Sequence, residues 1–508
     1  MRVPFSKRVA FIASAVSIAL FLLAVYFFKQ PRVLAVNEVP LAFWAWRTNA
    51  PGETDVRKAF AATDAKALFL RAGQMDFENG TLQRIRPVSG ALPAIVDLHL
   101  VYNATRTFLR QLETLEPKTI AETITRTYQS DLLRASQDQA QTIGLQLDFD
   151  VPSRLLPRYA EIIAALRALL PPNTTLSITG LPTWAYTKEI KDVLAGVDFW
   201  IPQCYGMKFP DHLTKEIPIS SPQEVAQTIS RIRQLDKPFY AGLSAYSYAI
   251  LYAKDGALVE LRGDLDPAWA ANNSDLELVE SRDFSAPSSH ASEKRYVYHA
   301  KSDVVLDGLI LHAGEWLVFD LPSAETLRAS ARAVRENAGE NLLGICVFRL
   351  PVAKDETVLS LGEMVAALSD QDCLAKTELS ARSVGKNQLQ VRLENKGTAN
   401  ARLGEDALTI EMKIPPGGLK ESPKTDGIAS YETLCRFPGA DLSLPCSQRR
   451  ASELRFVARS WKPESKAVIQ LRCNEICPKQ IAVTVTTRVN DGRIVKEELT
   501  ALIQNHGE

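Results

Sequence analysis

Between residues 39 and 369 the chain carries two hydrophobic rhythms. Short, nearly continuous apolar runs recur, and between several of them apolar side chains return at three- and four-residue spacing. Eight runs read as strands: Leu41–Trp46, Ala67–Arg71, Ala94–Leu100, Gly144–Phe149, Thr175–Thr179, Phe199–Gln203, Phe239–Leu243 and Leu343–Phe348. The spacing predicts helices over Ile120–Ala135, Leu156–Leu170 and Val225–Leu235. Apolar strands alternating with amphipathic helices build a parallel sheet wrapped by helices. Eight such units over about 330 residues fit an α/β fold of the (β/α)8 barrel kind with insertions. An open doubly wound sheet would call for a Gly-rich phosphate loop after an early strand, and the sequence has none.

After the seventh strand, Ala253 to Ser302 is rich in Asp, Ser, Asn and Ala and reads as a long loop. It would lie on the barrel's C-terminal face, either as a lid over the site or as a solvated ornament. Near Ser369 the rhythm changes to period two, as in Leu389, Val391 and Leu393 and again in Ile481, Val483 and Val485. Turn clusters at Asn395-Lys396-Gly397 and Pro415-Pro416-Gly417-Gly418 punctuate it, which predicts a small β-sandwich. The stretch from Val391 to Ala401 resembles a strand and turn of bacterial immunoglobulin-like modules appended to exported enzymes.

A third pattern occupies the N-terminus. Val9 to Phe28 is twenty residues without a charge, long enough at 1.5 Å per residue to span a hydrocarbon core of about 30 Å. Arg2, Lys7 and Arg8 precede it, so the positive-inside rule leaves the N-terminus in the cytoplasm and exports residues 31–508. Bulky Tyr26, Phe27 and Phe28 disfavour signal cleavage, and an uncleaved transmembrane anchor is expected; a cleaved signal peptide is the alternative, with a weak site at Leu34-Ala35-Val36. The expected organisation is an anchor over 1–30, a barrel over 31–371 and an all-β sandwich over 372–508.

The 508 residues include 59 Lys plus Arg and 59 Asp plus Glu. Four of the basic residues and no acidic one fall in the first thirty, which leaves 55 basic against 59 acidic groups in the remainder. No broad basic field is available for nucleic acid, and a neutral sugar suits this balance better than an anionic polymer. Five of seven cysteines (Cys373, Cys435, Cys446, Cys473 and Cys477) lie in the last 136 residues. Export makes disulfides plausible there, with Cys435–Cys446 and Cys473–Cys477 the first pairs to test. Cys204 and Cys346 sit in apolar strands and read as free core thiols. No cysteine pair has CxxC spacing and the six histidines are scattered, so neither zinc nor another cofactor is expected.

The chemistry-bearing segment is Gly144-Leu145-Gln146-Leu147-Asp148-Phe149-Asp150-Val151-Pro152. Along a strand Gln146, Asp148 and Asp150 share one face, with the two carboxylates about 6.5–7 Å apart at Cα. Buried unpaired, three such polar groups would cost several kcal/mol, so a purely structural strand would rarely keep them. Neighbouring carboxylates also push their pKa values apart, leaving one able to donate a proton. Trp44, Trp46, Trp184, Trp200, Tyr205 and Tyr246 lie at or near strand ends, where some could stack on sugar rings and others fill the core. Arg47, Arg71, His99 and Arg349 fall at similar positions. No Gly-x-Ser-x-Gly elbow occurs, and Cys204 has no assignable His partner, which disfavours a serine or cysteine hydrolase.

The run Gly144 to Asp150 resembles the fourth-strand motif of chitinase-like glycoside hydrolases, Asp-Gly-x-Asp-x-Asp-x-Glu. Ile143 replaces the first Asp, Gln146 the second, Asp148 matches the third, and Asp150 stands where the catalytic Glu would be. Asp198 to Gly206 is similar to that family's sixth-strand Gln/Met-x-Tyr-Asp, keeping Gln203 and Tyr205 but placing Gly206 at the Asp. From Gly144 through Leu176–Pro182 to Tyr205 the chain also resembles an uncharacterised bacterial family, a domain of unknown function grouped with barrel glycosidases. The resemblance implies that Asp150 protonates a glycosidic oxygen, Asp148 orients and tunes it, and Tyr205 hydrogen-bonds the reacting sugar. It implies a glycan partner, with the substrate's own N-acetyl group as nucleophile; Gln146, Gln203, Trp46, Trp184, Tyr246 and Arg349, on the inward face or at the strand ends, are the candidate contacts to it. Asp at 150 is one methylene shorter than Glu, and a donor displaced by about 1 Å can lose about two orders of magnitude in rate. The second reading is therefore a barrel that binds glycan, or scaffolds the envelope, without cleaving.

Overall fold

The computed structural model describes residues 32–504, apart from 207–209, 216, 218, 247, 264, 282–293, 322, 353–356, 405, 416–417, 437–442, 475–476 and 491. The expected span Val9–Phe28 lies outside the described residues. Among those described, no helix is long and apolar enough to cross a membrane.

Eight parallel strands close into a barrel: β1 (Leu41–Ala45), β2 (Ala67–Glu78), β3 (Leu98–Ala104), β4 (Thr142–Asp148), β5 (Thr175–Gly180), β6 (Phe199–Pro202), β7 (Phe239–Ser244) and β8 (Leu342–Phe348). Closure is direct, because β1 pairs with β2 on one side and with β8 on the other, both in parallel. The third strand begins four residues later than the pattern indicates, since Ala94–Asp97 is a turn leading into it. Inward residues such as Ala42, Phe69, Val101, Phe199, Ile201 and Cys346 fill the barrel, while the alternate residues face the helices.

The helices follow the expected units. Those that pack around the barrel include α1 (Glu53–Thr63), α2 (Pro117–Gln137), α3 (Leu156–Leu169), α4 (Ile190–Ala195), α5 (Pro222–Ile232), α6 (Ala324–Asn337) and α7 (Leu361–Leu368), and two five-residue helices, Arg106–Arg110 and Pro267–Ala271, lie in the connections. Pro at the first or second position starts α2, α3 and α5, where its missing N–H costs nothing. Ser323 caps α6 through the Thr326 N–H, and Ser360 with Glu363 forms a capping box on α7. Between β2 and β3 a hairpin takes the place of a helix: β2 runs on and pairs antiparallel with Thr81–Ile85. Arg84 of that hairpin and Tyr102 of β3 both bond the buried Asp131 of α2, which ties the hairpin to the barrel wall.

The insertion between β7 and α6 departs from the expected loop. Five antiparallel strands form a sheet in the order Leu258–Arg262, Tyr248–Tyr252, Trp316–Leu321, Lys294–Ala300, Leu276–Ser281. Ile250, Tyr252, Val297 and Val318 on one face pack with Leu213 from the segment after β6. Leu251, Tyr296, Leu317 and Phe319 on the other pack with Leu403 of the C-terminal domain. Arg295 bonds Asp320 at 3.1 and 3.2 Å and the Leu213 carbonyl at 3.1 Å. The stretch 282–293 of the expected loop lies outside the described residues, while alternate apolar residues of the described strands make two cores.

Helix α7 ends at Leu368, and the first strand of the C-terminal domain begins at Thr377. Ten strands follow in one hydrogen-bonded order that folds over a shared core, in which Leu389, Val391 and Ile469 meet Ile410, Met412 and Phe456. The two expected disulfides, Cys435–Cys446 and Cys473–Cys477, are formed. Cys204, Cys346 and Cys373 are buried and lie outside the two disulfides.

Candidate active site at the barrel mouth

Strand alternation builds the site from β4. Leu145, Leu147 and Phe149 face the helical layer and are buried there, so Gly144, Gln146 and Asp148 face the barrel interior. Gly144 leaves space for His99 of β3, whose Nδ1 would lie 2.3 Å from an added Cβ. His99 stacks on Phe69 at 4.5 Å, and burial pushes its pKa down to about 4, so it is a neutral core residue. One layer up, Gln146 is wholly buried: its Oε1 accepts from Trp44 Nε1 at 2.8 Å and its Nε2 donates to Ser177 Oγ at 3.2 Å. The sequence placed Gln146 against substrate; its hydrogen bonds are spent on Trp44 and Ser177, and it plugs the barrel beneath the mouth.

Asp148 ends β4 half-buried at the mouth. Its Oδ1 accepts from Thr179 Oγ1 of β5 at 2.5 Å and from Gln203 Nε2 after β6 at 3.3 Å. Loss of hydration, followed by the negative charge of Asp150, raises its pKa to about 7; the Thr179 hydrogen bond acts in the opposite sense. Asp150 lies beyond the strand, where the chain turns and Val151 N–H bonds Phe149 O at 2.7 Å. Its side chain is exposed at the rim and accepts no hydrogen bond among the described residues. Surrounding protein still removes part of its hydration and raises its pKa.

A cavity of about 140 Å³ opens over Asp148, lined by Trp44, Trp46, Asp148, Thr179, Gln203, Tyr205, Tyr246 and Phe348. All eight come from the C-terminal ends of barrel strands or the residues that follow them, where this architecture gathers its sites. Phe348 centres an aromatic wall, its ring 4.8 Å from Tyr246, 5.6 Å from Trp46 and 6.0 Å from Tyr205. Burial, together with Tyr246 and Asp148, pushes the Tyr205 hydroxyl well above the usual tyrosine range, so it stays protonated and can donate.

Of the expected site residues, Asp148, Tyr205, Gln203, Trp46 and Tyr246 converge on the cavity, and Asp150 stands outside its lining. Trp184 does not reach it. That indole is fully buried in a short turn after β5, donates to Val151 O at 3.0 Å and packs on Tyr159 at 6.0 Å. Trp200 is likewise core, pressed against Gly180. Arg349 is a strut, because it donates to Gly263 O at 3.0 Å and Thr357 Oγ1 at 3.2 Å and so fastens the inserted sheet to the end of β8. Thr179 and Phe348 were missed as site residues, although each is the last inward residue of a run recognised as a strand. Among the described residues no cluster of three His, Cys, Asp or Glu could hold a metal ion.

Residues 107–278, which span α2, α3 and β4 to β7, match a family model described as a domain of unknown function, DUF3142. No curated protein matches the chain. Among solved structures it is similar to the C-terminal domain of a putative chitinase from Desulfitobacterium hafniense DCB-2 (11% identity, TM-score 0.43, 65% of this chain and 99% of that one). It is also similar to the spore cortex-lytic enzyme SleL of Bacillus cereus (14% identity, TM-score 0.40, 65% and 74%). A third likeness is to a chitinase from Chromobacterium violaceum ATCC 12472 (13% identity, TM-score 0.40, 65% and 98%).

Proposed function

We propose that the chain is an exported, membrane-anchored barrel of the glycoside hydrolase type, acting on a polysaccharide or cell-envelope glycan. The observation that carries the reading is Asp148: a carboxyl group with its pKa near 7, held by Thr179 and Gln203 and facing an aromatic wall. At neutral pH a carboxyl group of this kind is in part protonated and can donate, as general acid catalysis requires. Trp46, Tyr246 and Phe348 offer apolar faces to a sugar ring, and Tyr205 offers a hydroxyl to its polar edge.

The division of labour differs from the one the motif implies. Asp148 is the carboxylate that touches the cavity, so it is the proton donor. Asp150 at the rim keeps the proton on Asp148 by its negative charge. No other carboxylate lines the cavity among the described residues, which favours a nucleophile supplied by the substrate, such as a 2-acetamido group. Comparing two variants on a responsive glycan tests these roles. Asp148→Asn abolishes release of reducing ends, while Asp150→Asn keeps turnover and lowers the pH at which activity declines. Full activity in Asp148→Asn removes the assignment.

The single lining carboxylate also favours a second reading, binding without cleavage. Under it the wild-type chain retains glycan on an array and releases no reducing ends. Anchoring rests on Val9–Phe28, the charge-free span behind Arg2, Lys7 and Arg8. Full-length protein then stays with membranes through an alkaline carbonate wash, and release into the wash overturns it.

A further inference from the structure

Strands β2 and β3 form the side of the mouth that the aromatic wall does not cover, and they carry two under-satisfied polar groups. Phe69 of β2 faces the interior, with ring contacts to His99, Phe199 and Tyr240. Arg71, two residues on and before the bulge that follows it, points the same way. The β1–β2 register pairs Ala45 with Leu70; continued by one residue, it sets Arg71 beside Trp46, which lines the cavity. Arg71 is only 6% exposed, yet one donor to the Arg86 carbonyl at 3.2 Å is its sole hydrogen bond among the described residues. Among the described residues no carboxylate faces it, and the nearby charge is that of Arg86, of the same sign. A buried guanidinium left without a counter-charge costs several kcal/mol. On β3, Asn103 faces inward like His99 and Val101 and pairs in register with Asp148. Its Oδ1 is buried and has no hydrogen-bond partner among the described residues.

We propose that this side of the mouth is a subsite for a sugar carboxylate, bound by the free donors of Arg71, with Asn103 beside it on the neighbouring strand. The inference rests on the glycan reading above and narrows its substrate class to acidic glycans. The near-neutral charge of the chain pointed to a neutral sugar because it supplies no long-range field. A fork of guanidinium donors needs none, since it reads a carboxylate by short, paired hydrogen bonds. The carboxylate has two chemical sources: C6 of a hexuronic acid, or the lactyl ether of a muramic acid.

Calorimetric binding to the full chain in detergent micelles distinguishes them. The probes are three tetrasaccharides: an N-acetylglucosamine oligomer, an alternating glucuronate–N-acetylglucosamine oligomer, and an alternating N-acetylmuramate–N-acetylglucosamine oligomer. Each acid is paired with its methyl ester. One acid series is expected to bind roughly 10- to 100-fold tighter than its ester, the margin of a charged hydrogen bond. Arg71→Met erases that ratio, and Arg71→Lys, which keeps charge without the fork, retains part of it. Thermal melts establish that both variants fold, and the lysine variant carries the comparison if the methionine variant does not. Equal binding of acid and ester, or a ratio that survives Arg71→Met, overturns the subsite and leaves the glycan reading standing. No binding of any tetrasaccharide, the neutral one included, overturns both.

Discussion

Thr179 donates its hydroxyl hydrogen to Asp148 Oδ1 at 2.5 Å across adjacent barrel strands, and this bond opposes the burial that raises the carboxyl pKa. Removing it with Thr179→Val takes away stabilisation of the ionised form. The Asp148 pKa, already about 7, then rises further, and any activity that needs its proton persists to higher pH. Asp150→Asn removes a repelling negative charge and moves the same pKa down. Carbon NMR titration of the Asp148 carboxyl reads both shifts without a substrate. Shifts of the same sign in the two variants would contradict the balance.

The same carboxyl sets a pH dependence of stability. Its folded-state pKa of about 7 lies above the ordinary value of 3.8, so the native state holds a proton that the unfolded chain gives up. This stabilising contribution is full below about pH 4 and is lost as pH rises through 7. Asp150 is displaced in the same direction and adds to the trend. Asp148→Asn cannot ionise, and relative to the wild type it is expected to gain stability between pH 5 and pH 8. Urea midpoints at the two values check this; a wild-type-to-variant difference that does not change with pH would sink it.

How far the sequence carries depends on what sets each feature. The eight barrel strands and three long helices are legible because burial on a helix-wrapped sheet imposes apolar runs and a 3.6-residue period on the chain itself. Asp148, Gln203 and Tyr205 are legible for a related reason, as polar residues at the ends of apolar strands. The roles of Gln146 and Trp184 were not. Each depends on one partner far away in sequence, Trp44 Nε1 for the amide and Val151 O for the indole, and no local pattern encodes those meetings. The inserted sheet was hidden because its two faces bury against different neighbours, Leu213 on one side and Leu403 on the other, and no single apolar face announces it in the sequence.

Gly144 is a packing requirement of the barrel interior. An added Cβ would sit 2.3 Å from His99 Nδ1 and 2.9 Å from the Thr175 carbonyl, and Thr175 is fixed by its register with Gly144. Gly144→Ala therefore forces the imidazole out of its stack on Phe69. The expected loss is about 1–3 kcal/mol, the usual cost of overpacking. Adding His99→Ala to Gly144→Ala frees the space and recovers part of that loss in urea unfolding. A double variant no more stable than the single one would place the strain at the Thr175 carbonyl instead.

The cysteines give a covalent test of the exported state. A digest of protein taken from its native compartment without reduction is expected to yield Cys435 linked to Cys446 and Cys473 linked to Cys477, with Cys204, Cys346 and Cys373 alkylated only after unfolding. The two bridges differ in the chain they constrain, with sequence separations of 11 and 4. Loop entropy gives the longer one about 3 kcal/mol and the shorter about 2 kcal/mol. Replacing Cys435 and Cys446 together by Ser should therefore lower the stability of the C-terminal domain more than replacing Cys473 and Cys477. Both bridges lie remote in sequence from the barrel strands, so barrel binding of a glycan should survive either change. Free thiols at all four positions in protein from intact cells would instead mean that the domain folds in a reducing compartment, and with that the exported orientation deduced from Arg2, Lys7 and Arg8 would fall.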